Sequence, residues 1–394
     1  MPEQAYDRPA LVLGLDRTGL SLARALGRLG IPVSGIAWGD YEYGPRSRYL
    51  RRLIVIDKNG AGRDEQILHA IKSIASGERL VVFADSDASV DFILRHWDEM
   101  NAIADFPLPD DPAIVENLRA KDRLPAEGAK HGVDAPATVL ADGDGAIRAA
   151  ALRPPLLVKP VRGKGFELAF GRKAFVAQTV EEAVRDVSMA RERGFETIVQ
   201  ELIPNAEQRI LSVFTYIGRS GEPLLSVTGR KVRQLPVRFG SSTVFEVRPE
   251  PRALELGLKL LRGTGYRGFA HVELAHDVRD DTLKLIEVNT RAPIWASVAT
   301  RGEPNIVRIA YDDLCGRDQP SGRVRDDGGV WVDLARDVYQ AISRRDLRPR
   351  EFVQPYLRRD KVRAIFAPDD PVPAVQWFGW ALKRVTGMAR RGGS

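Results

Sequence analysis

Two stretches past the middle of the chain decide its reading, VELAHD at 272–277 and KLIEVNTR at 284–291. Each has the apolar pattern of a short strand, and the Asp-rich turn at 277–281 between them predicts a hairpin. Glu273 and Glu287 stand among residues that belong in a core, where a carboxylate is costly unless compensated. Asn289 lies two residues beyond Glu287 and therefore shares its face of the strand. With Glu273 projecting from the neighbouring strand, three oxygen ligands converge, two of them charged. Such a set suits Mg²⁺, which takes a few protein oxygens and completes its octahedron with phosphates and water. Salt bridges to Arg230, Lys231 or Arg291 would account for the same carboxylates without a metal.

Working upstream, LLVKP at 156–160 places Lys159 at the end of an apolar strand and leads at once into Arg162-Gly163-Lys164-Gly165. Glycines let backbone N–H groups approach phosphate oxygens, and Lys159 and Lys164 add positive charge. Taken alone, the segment reads equally as a solvated basic hairpin. IVQELIPN at 198–205 is an apolar strand running into Glu201, a short turn and Glu207, the form of a linker between two lobes. Its backbone could pair with an adenine edge while Glu207 takes ribose hydroxyls; a plain strand and turn would look the same.

The remaining chain divides around these segments. Apolar runs at 10–15, 31–37, 53–56 and 79–84 alternate with helix-periodic segments at 20–29 and 65–75, which predicts a small parallel sheet covered on both faces. After the Pro/Asp cluster at 107–112 a helical pair at 113–119 and 122–131 breaks near Lys121. Strand patterns at 156–160, 197–203, 208–217, 224–232, 268–275 and 282–288, with helices at 179–192 and 250–262, then give an α+β body. The fold class is thus α/β plus α+β, with domains at 1–107, 108–200, 201–318 and a C-terminal helical extension at 319–394. That extension carries a helix at 333–343 and a Trp-bearing helix near 373–385.

Composition excludes several classes. The chain has 394 residues, 59 basic against 53 acidic, and one cysteine, Cys315. A single cysteine rules out a disulfide framework or a multi-cysteine zinc site, so the HxE run His271-Val272-Glu273 has no cysteine partners for zinc chemistry. Interleaved charge of both signs does not imply nucleic acid. No signal-peptide pattern and no apolar stretch of bilayer length is visible, so a cytoplasmic protein without an integral membrane segment is expected. The turn Gly14 to Gly19 lacks the middle glycine of a dinucleotide fingerprint, and there is neither a P-loop nor a GxSxG elbow.

In this order and spacing, Lys121, LLVKP, RGKG, QELIPN, VELAHD and IEVNTR resemble the ATP-grasp superfamily over about residues 8 to 315. SVTGRKVRQLPVRFGSSTV at 226–244 is similar to the segment after the hinge in carboxylate–amine ligases of the amino-acid ligase type. The resemblance implies a parallel-sheet domain ahead of a two-lobed ATP-grasp body, with ATP and Mg²⁺ as cofactors and Mn²⁺ as an alternative ion. It implies a carboxylate phosphorylated to an acyl phosphate and attacked by an amine to give an amide, ADP and phosphate. By this likeness Lys121 and Lys159 match phosphate-binding lysines, and Gly163 and Gly165 match a glycine loop to which Lys164 adds a donor. Glu201 and Ile203 match the adenine hinge through their backbone, and Glu207 matches the ribose acid. Glu273, Glu287 and Asn289 match the magnesium ligands, and Arg230, Lys231 and Arg291 the catalytic cations near the transferred phosphoryl. Two departures concern backbone shape: Asn289-Thr290-Arg291 where Asn-Pro-Arg is commoner, and Asn205 where glycine is usual.

The partners so implied are a small carboxylate and an amine, amino acids or their derivatives, with no nucleic acid and with a homodimer as the default assembly. The turn FGSST at 239–243 and the mouth of the first sheet, around Asp16, Arg17, Asp85 and Ser86, are the expected substrate region, although Ser86 also reads as a helix N-cap. A kinase-type phosphoryl transferase and a non-catalytic nucleotide-binding module remain alternatives. The tail, with Trp377, Trp380 and Lys383, Arg384, Arg390 and Arg391, would suit either a membrane surface or packing on its own domain.

Overall fold

The computed structural model describes residues 8–39, 42–161, 165–343 and 347–379. Arg162, Gly163 and Lys164 of the basic loop, and Trp380 with the basic residues of the tail, lie outside the described residues.

Five strands, β1 (Ala10–Leu13), β2 (Val33–Ala37), β3 (Leu50–Val55), β4 (Leu80–Ala84) and β5 (Ala104–Asp105), form a parallel sheet in the order β3-β2-β1-β4-β5. Strand β1 is buried throughout, and its side chains divide with period two. Ala10 and Val12 pack with Leu22 and Leu26 of the helix Arg17–Gly27, while Leu11 and Leu13 pack with Ile67 and Ile71 of the helix Arg63–Ala75. Because the strand order reverses between β1 and β4, a crevice opens at their carboxyl ends. Asp16 and Asp85 to Asp87 line it.

A second sheet is antiparallel: β6 (Thr138–Leu140), β7 (Leu156–Pro160), β8 (Phe175–Ala177) and β9 (Thr197–Glu201), in the order β6-β9-β7-β8, with the helix Val180–Glu192 packed on β7 and β8. The largest sheet holds β10 (Ile210–Ile217), β11 (Pro223–Leu235), β12 (Ser241–Val247), β13 (Gly268–Asp277), β14 (Thr282–Asn289), β15 (Arg323–Arg325), β16 (Val330–Val332) and β17 (Lys361–Arg363). Its order is β14-β13-β10-β11-β12-β16-β17, with β15 laid beside β11. One face of this sheet shares a core with the first domain: Phe214, Phe245, Phe269 and Trp295 join Val12, Leu26 and Phe83 in one cluster. Trp295 stacks flat on Phe245, with ring centroids 3.8 Å apart.

One sequence expectation needs correction here. The C-terminal extension is not purely helical, since it contributes β15, β16 and β17 to the largest sheet. Each of these strands has three residues, too few for a period-two pattern to show. The short β6 and β8 and the two-residue β5 escaped notice for the same reason.

The C-terminal segment also ties the first domain to the body. Arg17 Nε lies 2.5 Å from Asp333, and Arg24 Nε lies 2.9 Å from Asp370 while its other nitrogens donate to the carbonyls of Ile365 and Asp370. Asp370 accepts in addition from Ser47 Oγ and the Arg48 N–H. Residues 372–379 are helical, and Trp377 packs against the shared core. Asp370→Ala would leave a buried guanidinium without its counter-charge, so we expect a loss of about 3–5 kcal/mol in urea unfolding. Asp369→Ala, which removes the half-exposed partner of Arg28, should cost no more than about 1 kcal/mol in the same measurement.

Candidate functional site

The antiparallel register of β13 and β14 sets Glu273 directly opposite Glu287 and His271 directly opposite Asn289. Residues two apart on a strand share a face, so these four side chains form one patch. They line a cleft of about 520 Å³ that runs from the crevice of the first sheet to the end of β9. Like charges directly across a ladder repel, and here they are handled differently. Glu273 is buried and has Lys231 Nζ 3.1 Å from its Oε1. Glu287 is exposed to the cleft rather than buried in a core, which corrects the sequence expectation: water in the cleft solvates it.

Lys231 reaches Glu273 across β10 because the intervening residues on that face are small. Ser212 faces Glu273, and Gly229 faces Ser212; a Cβ on Gly229 would stand 2.2 Å from the Glu246 carbonyl. Strand alternation sends Arg230 to the other face. Arg230 sits opposite Glu246, with its Nε 2.8 Å from the carboxylate. It does not line the cleft, so the expected catalytic role of Arg230 is withdrawn in favour of a surface ion pair.

Cations face the acidic patch across the cleft. Lys159, on β7, donates to Gln200 Oε1 at 2.6 Å, and Lys121 lines the same wall from the turn before the helix Leu124–Lys130. Burial and repulsion from Lys121 push the Lys159 ammonium down to about 8, against some attraction from Glu287. Arg291 lies between the two walls and is held by Asp87 of the first domain at 2.8 and 3.1 Å. Arg119 approaches the same Asp87 at 3.8 Å and binds Asp91 at 2.7 Å. Burial pushes Asp87 up, but Arg291, Arg119 and Lys121 outweigh it and hold the carboxyl below its usual range.

At the far end Leu157, Leu202, Ile203, Ile210 and Ile286 make an apolar slot, with Glu207 at its edge. The Glu201 side chain turns out of it: its carboxylate accepts from the Arg153 N–H at 2.9 Å and lies 3.6 Å from Arg279. Only the backbone of Glu201 therefore remains for a ligand. Asn205 has φ +55°, a left-handed conformation that asparagine tolerates nearly as well as the glycine it replaces. Gly165, with φ +87°, caps the helix Phe166–Phe170 and does not line the cleft; Gly163 and Lys164 lie outside the described residues.

At the opposite end Asp16, Thr18, Asp85, Ser86 and Asp87 face Phe239, Gly240, Ser241 and Ser242. Burial pushes Asp85 up to about 6, and burial with repulsion from Asp85 pushes nearby Glu42 up to about 8. Ser86 caps the helix Asp87–Arg95 through the Ser89 N–H. Arg17 is turned away, bound to Asp333 and, at 2.7 Å, to the Tyr43 hydroxyl. Sequence reasoning missed Asp87, Gln200, Trp295 and the cleft-lining position of His271. The last had a visible signal, because it alternates with Glu273.

Two carboxylates and an amide are hard oxygen donors of the kind that Mg²⁺ or Mn²⁺ prefers. Among the described residues no three His, Cys, Asp or Glu side chains gather around one point. The set therefore suits a cation whose remaining ligands arrive with a phosphate, rather than one caged by protein.

No family model and no curated protein matches the chain. Solved structures do. The biotin carboxylase domain of Hydrogenobacter thermophilus 2-oxoglutarate carboxylase, in complex with MgADP, ADP and bicarbonate, matches at 18% identity and a TM-score of 0.63, over 81% of this chain and 72% of that one. N5-carboxyaminoimidazole ribonucleotide synthetase with ADP matches at 15% identity and 0.62, over 85% of each chain. L-amino acid ligase from Bacillus licheniformis matches at 18% identity and 0.56, over 78% and 74%. These likenesses establish the architecture: the chain has the ATP-grasp fold, with the parallel-sheet domain in front of it.

Burial and the neighbouring Lys121 make the Lys159 charge sensitive to mildly alkaline pH. The free ammonium loses its charge as pH rises through about 8, and a bound polyanion pulls it back toward its ordinary value. Binding of inorganic tripolyphosphate should therefore weaken above pH 8. At pH 8 this lysine should take up about half a proton, and at pH 6.5 almost none. Calorimetry in buffers of different ionisation enthalpy measures the uptake, and Lys159→Met should remove that share of it.

Proposed function

We propose that this chain is an ATP-dependent ligase that activates a carboxylate as its acyl phosphate and joins it to an amine. The observation that carries the proposal is the opposition across one cleft of Lys121 and Lys159 to the pair Glu273 and Glu287. The two ammonium groups repel each other and call for a polyanion; Glu287, uncompensated across the ladder from the Lys231-paired Glu273, calls for a cation. A nucleotide polyphosphate with a divalent ion answers both needs at once. MgADP in the biotin carboxylase neighbour and ADP in the synthetase neighbour support the nucleotide, and the L-amino acid ligase supports the joining reaction.

In this reading the apolar slot takes the adenine, the hinge backbone at Glu201 to Ile203 pairs with its edge, and Glu207 holds ribose hydroxyls. Lys121 and Lys159 grip the phosphates. Glu273, Glu287 and the Asn289 amide oxygen would hold Mg²⁺, which when bound supplies charge neutralisation on the phosphates. The substrate carboxylate approaches from the Ser241–Ser242 and Asp85–Asp87 end. Its oxygen attacks the γ-phosphorus and ADP leaves. Arg291, kept in place by Asp87, and Lys231, kept by Glu273, offset the charge on the phosphoryl in transit. The amine nitrogen then attacks the acyl carbon, phosphate departs, and the nitrogen loses a proton. No protein nucleophile is required, and Cys315, the one cysteine, is packed against the shared core, away from the cleft.

No helix among the described residues is long and apolar enough to cross a membrane. We infer a cytoplasmic enzyme acting on small molecules, amino acids or their derivatives, and assembling as a homodimer.

A matrix of amino acids and small acids, read out by released phosphate, identifies the substrates. With the right pair, Glu287→Ala should lower ADP release on the order of a hundredfold or more, whereas Arg230→Ala should stay within about threefold because its ion pair is on the surface. Hydroxylamine added in place of the amine should trap a hydroxamate. ADP formed without any hydroxamate would point to a kinase, and near-normal turnover in Glu287→Ala would overturn the assignment of the metal residues.

A further inference from the structure

We infer that the C-terminal region carries a docking face for an anionic membrane surface, built from outward apolar stripes on two helices and a rim of unpaired arginines. The inference does not rest on the nucleotide reading, and none of its residues lines the cleft.

An amphipathic helix ordinarily buries its apolar stripe, and the helix Leu334–Ser343 does the reverse. Its inward residues are Asp337 and Gln340, both fully buried. Asp337 is held there by Arg233 at 2.6 and 2.8 Å and by the hydroxyls of Thr243 and Tyr356 at 2.7 and 2.6 Å. Leu334, Val338 and Ile342 recur every fourth residue and so share a face of their own. All three are exposed, Ile342 to 78%. The helix of residues 372–379 is divided in the same way: Ala374 and Trp377 pack on the shared core, while Val372, Val375 and Phe378 are exposed.

The two helices meet. Arg17 binds Asp333, the residue ahead of the first helix, and reaches the Tyr43 hydroxyl at 2.7 Å with its guanidinium over the Tyr43 ring. Trp377 acts on the same hydroxyl and packs against the same core. The two stripes are therefore neighbours. Apolar residues scattered singly on a surface need no explanation, but a group of large ones marks a contact surface.

Charge decides what that surface contacts. Arg348 and Arg350 open the helix Pro349–Leu357, which flanks the first helix through Tyr356 and Asp337; Arg359 follows it, and Arg363 ends β17. Arg358 is paired with Glu246 and Asp360. The other four are exposed, and none of them makes an ion pair among the described residues. Glu351 is the exposed carboxylate between Arg350 and Arg359. A second copy docked by twofold symmetry would set this rim against itself. The end of the chain is no better matched, since Lys383, Arg384, Arg390 and Arg391 only add cations. A layer of anionic phospholipid headgroups answers both features: the apolar side chains enter the acyl boundary, and each arginine near the surface adds attraction.

The test is co-sedimentation of the full-length protein with vesicles of phosphatidylcholine alone, and with vesicles in which about a third is phosphatidylglycerol. We expect partition at least about tenfold stronger onto the anionic vesicles, weakening as salt is raised. Ile342→Asp with Phe378→Asp changes exposed residues, so urea unfolding and oligomeric state should stay as they are while partition falls about tenfold or more. Should that pair unfold, Ile342→Ser with Phe378→Ser takes its place, with a loss in the same direction. Arg348→Glu with Arg350→Glu should bring the two kinds of vesicle to within about threefold of each other. Sedimentation with neither vesicle, equal partition onto both, or anionic binding that survives the Ile342 and Phe378 substitutions overturns the inference. So does an oligomer that those substitutions dissociate in a protein that binds no vesicle, which would assign the face to a second copy.

Discussion

Two carboxylates set opposite each other on neighbouring strands are the constraint around which the rest of the molecule is arranged. The register that pairs Glu273 with Glu287 cannot be relieved by rotation of one side chain out of the sheet, because strand alternation fixes both on the cleft face. One member is compensated internally by Lys231, and that contact depends on the narrow path across Ser212 and Gly229. The other is left to the cleft. A bulkier residue at Ser212 would crowd that path, and loss of the Lys231 contact would leave Glu273 buried and unpaired, a more costly state than an exposed carboxylate; a side chain at Gly229 would instead meet the Glu246 carbonyl and the Phe245 ring.

The first domain matters to this site through Asp87. It opens the helix that follows β4, at the point where the order of the parallel sheet reverses, and it clasps Arg291 two residues past Asn289. The arginine that would meet a phosphoryl group is thus positioned by a carboxylate from another domain. Its geometry depends on how firmly that domain sits on the body. The shared core of Val12, Leu26 and Phe83 with Phe214, Phe269 and Trp295 supplies the apolar part of that attachment, and the buried Arg24–Asp370 pair gives it direction. The C-terminal segment holds the two domains in register and also reaches the cleft wall, where Arg336 donates to the carbonyls of Ser241 and Ser242.

What the sequence reveals and what it hides follow from the range over which each signal acts. The alternation of apolar runs with helical periods in the first hundred residues was legible, because strands buried on both faces leave continuous apolar patterns. The hairpin of β13 and β14 was legible as well, and its spacing alone placed Glu287 and Asn289 on one face. Arg230 was misplaced and Lys231 was not, although the two are adjacent: cation content near a motif cannot say which of two neighbours faces inward, while strand alternation can once the strand's orientation is known. Asp87 was invisible as a site residue because its role arises only when residues 204 apart meet. Strands of two or three residues, such as β5 and β15 to β17, are set by their neighbours rather than by their own pattern.

The charge arrangement of the cleft also explains why its two halves belong together. Arg291 with Asp87 and Lys231 with Glu273 are locally balanced, which leaves Lys121, Lys159 and Glu287 to face the cleft. A polyphosphate arriving alone would meet the lysines favourably but would lie against Glu287 and the Glu273 pair at close range. A divalent ion arriving alone would meet the carboxylates but also the field of two uncompensated ammonium groups. Each component therefore lowers the cost of binding the other, which is a coupling free energy between adjacent positions and acts equally in both directions.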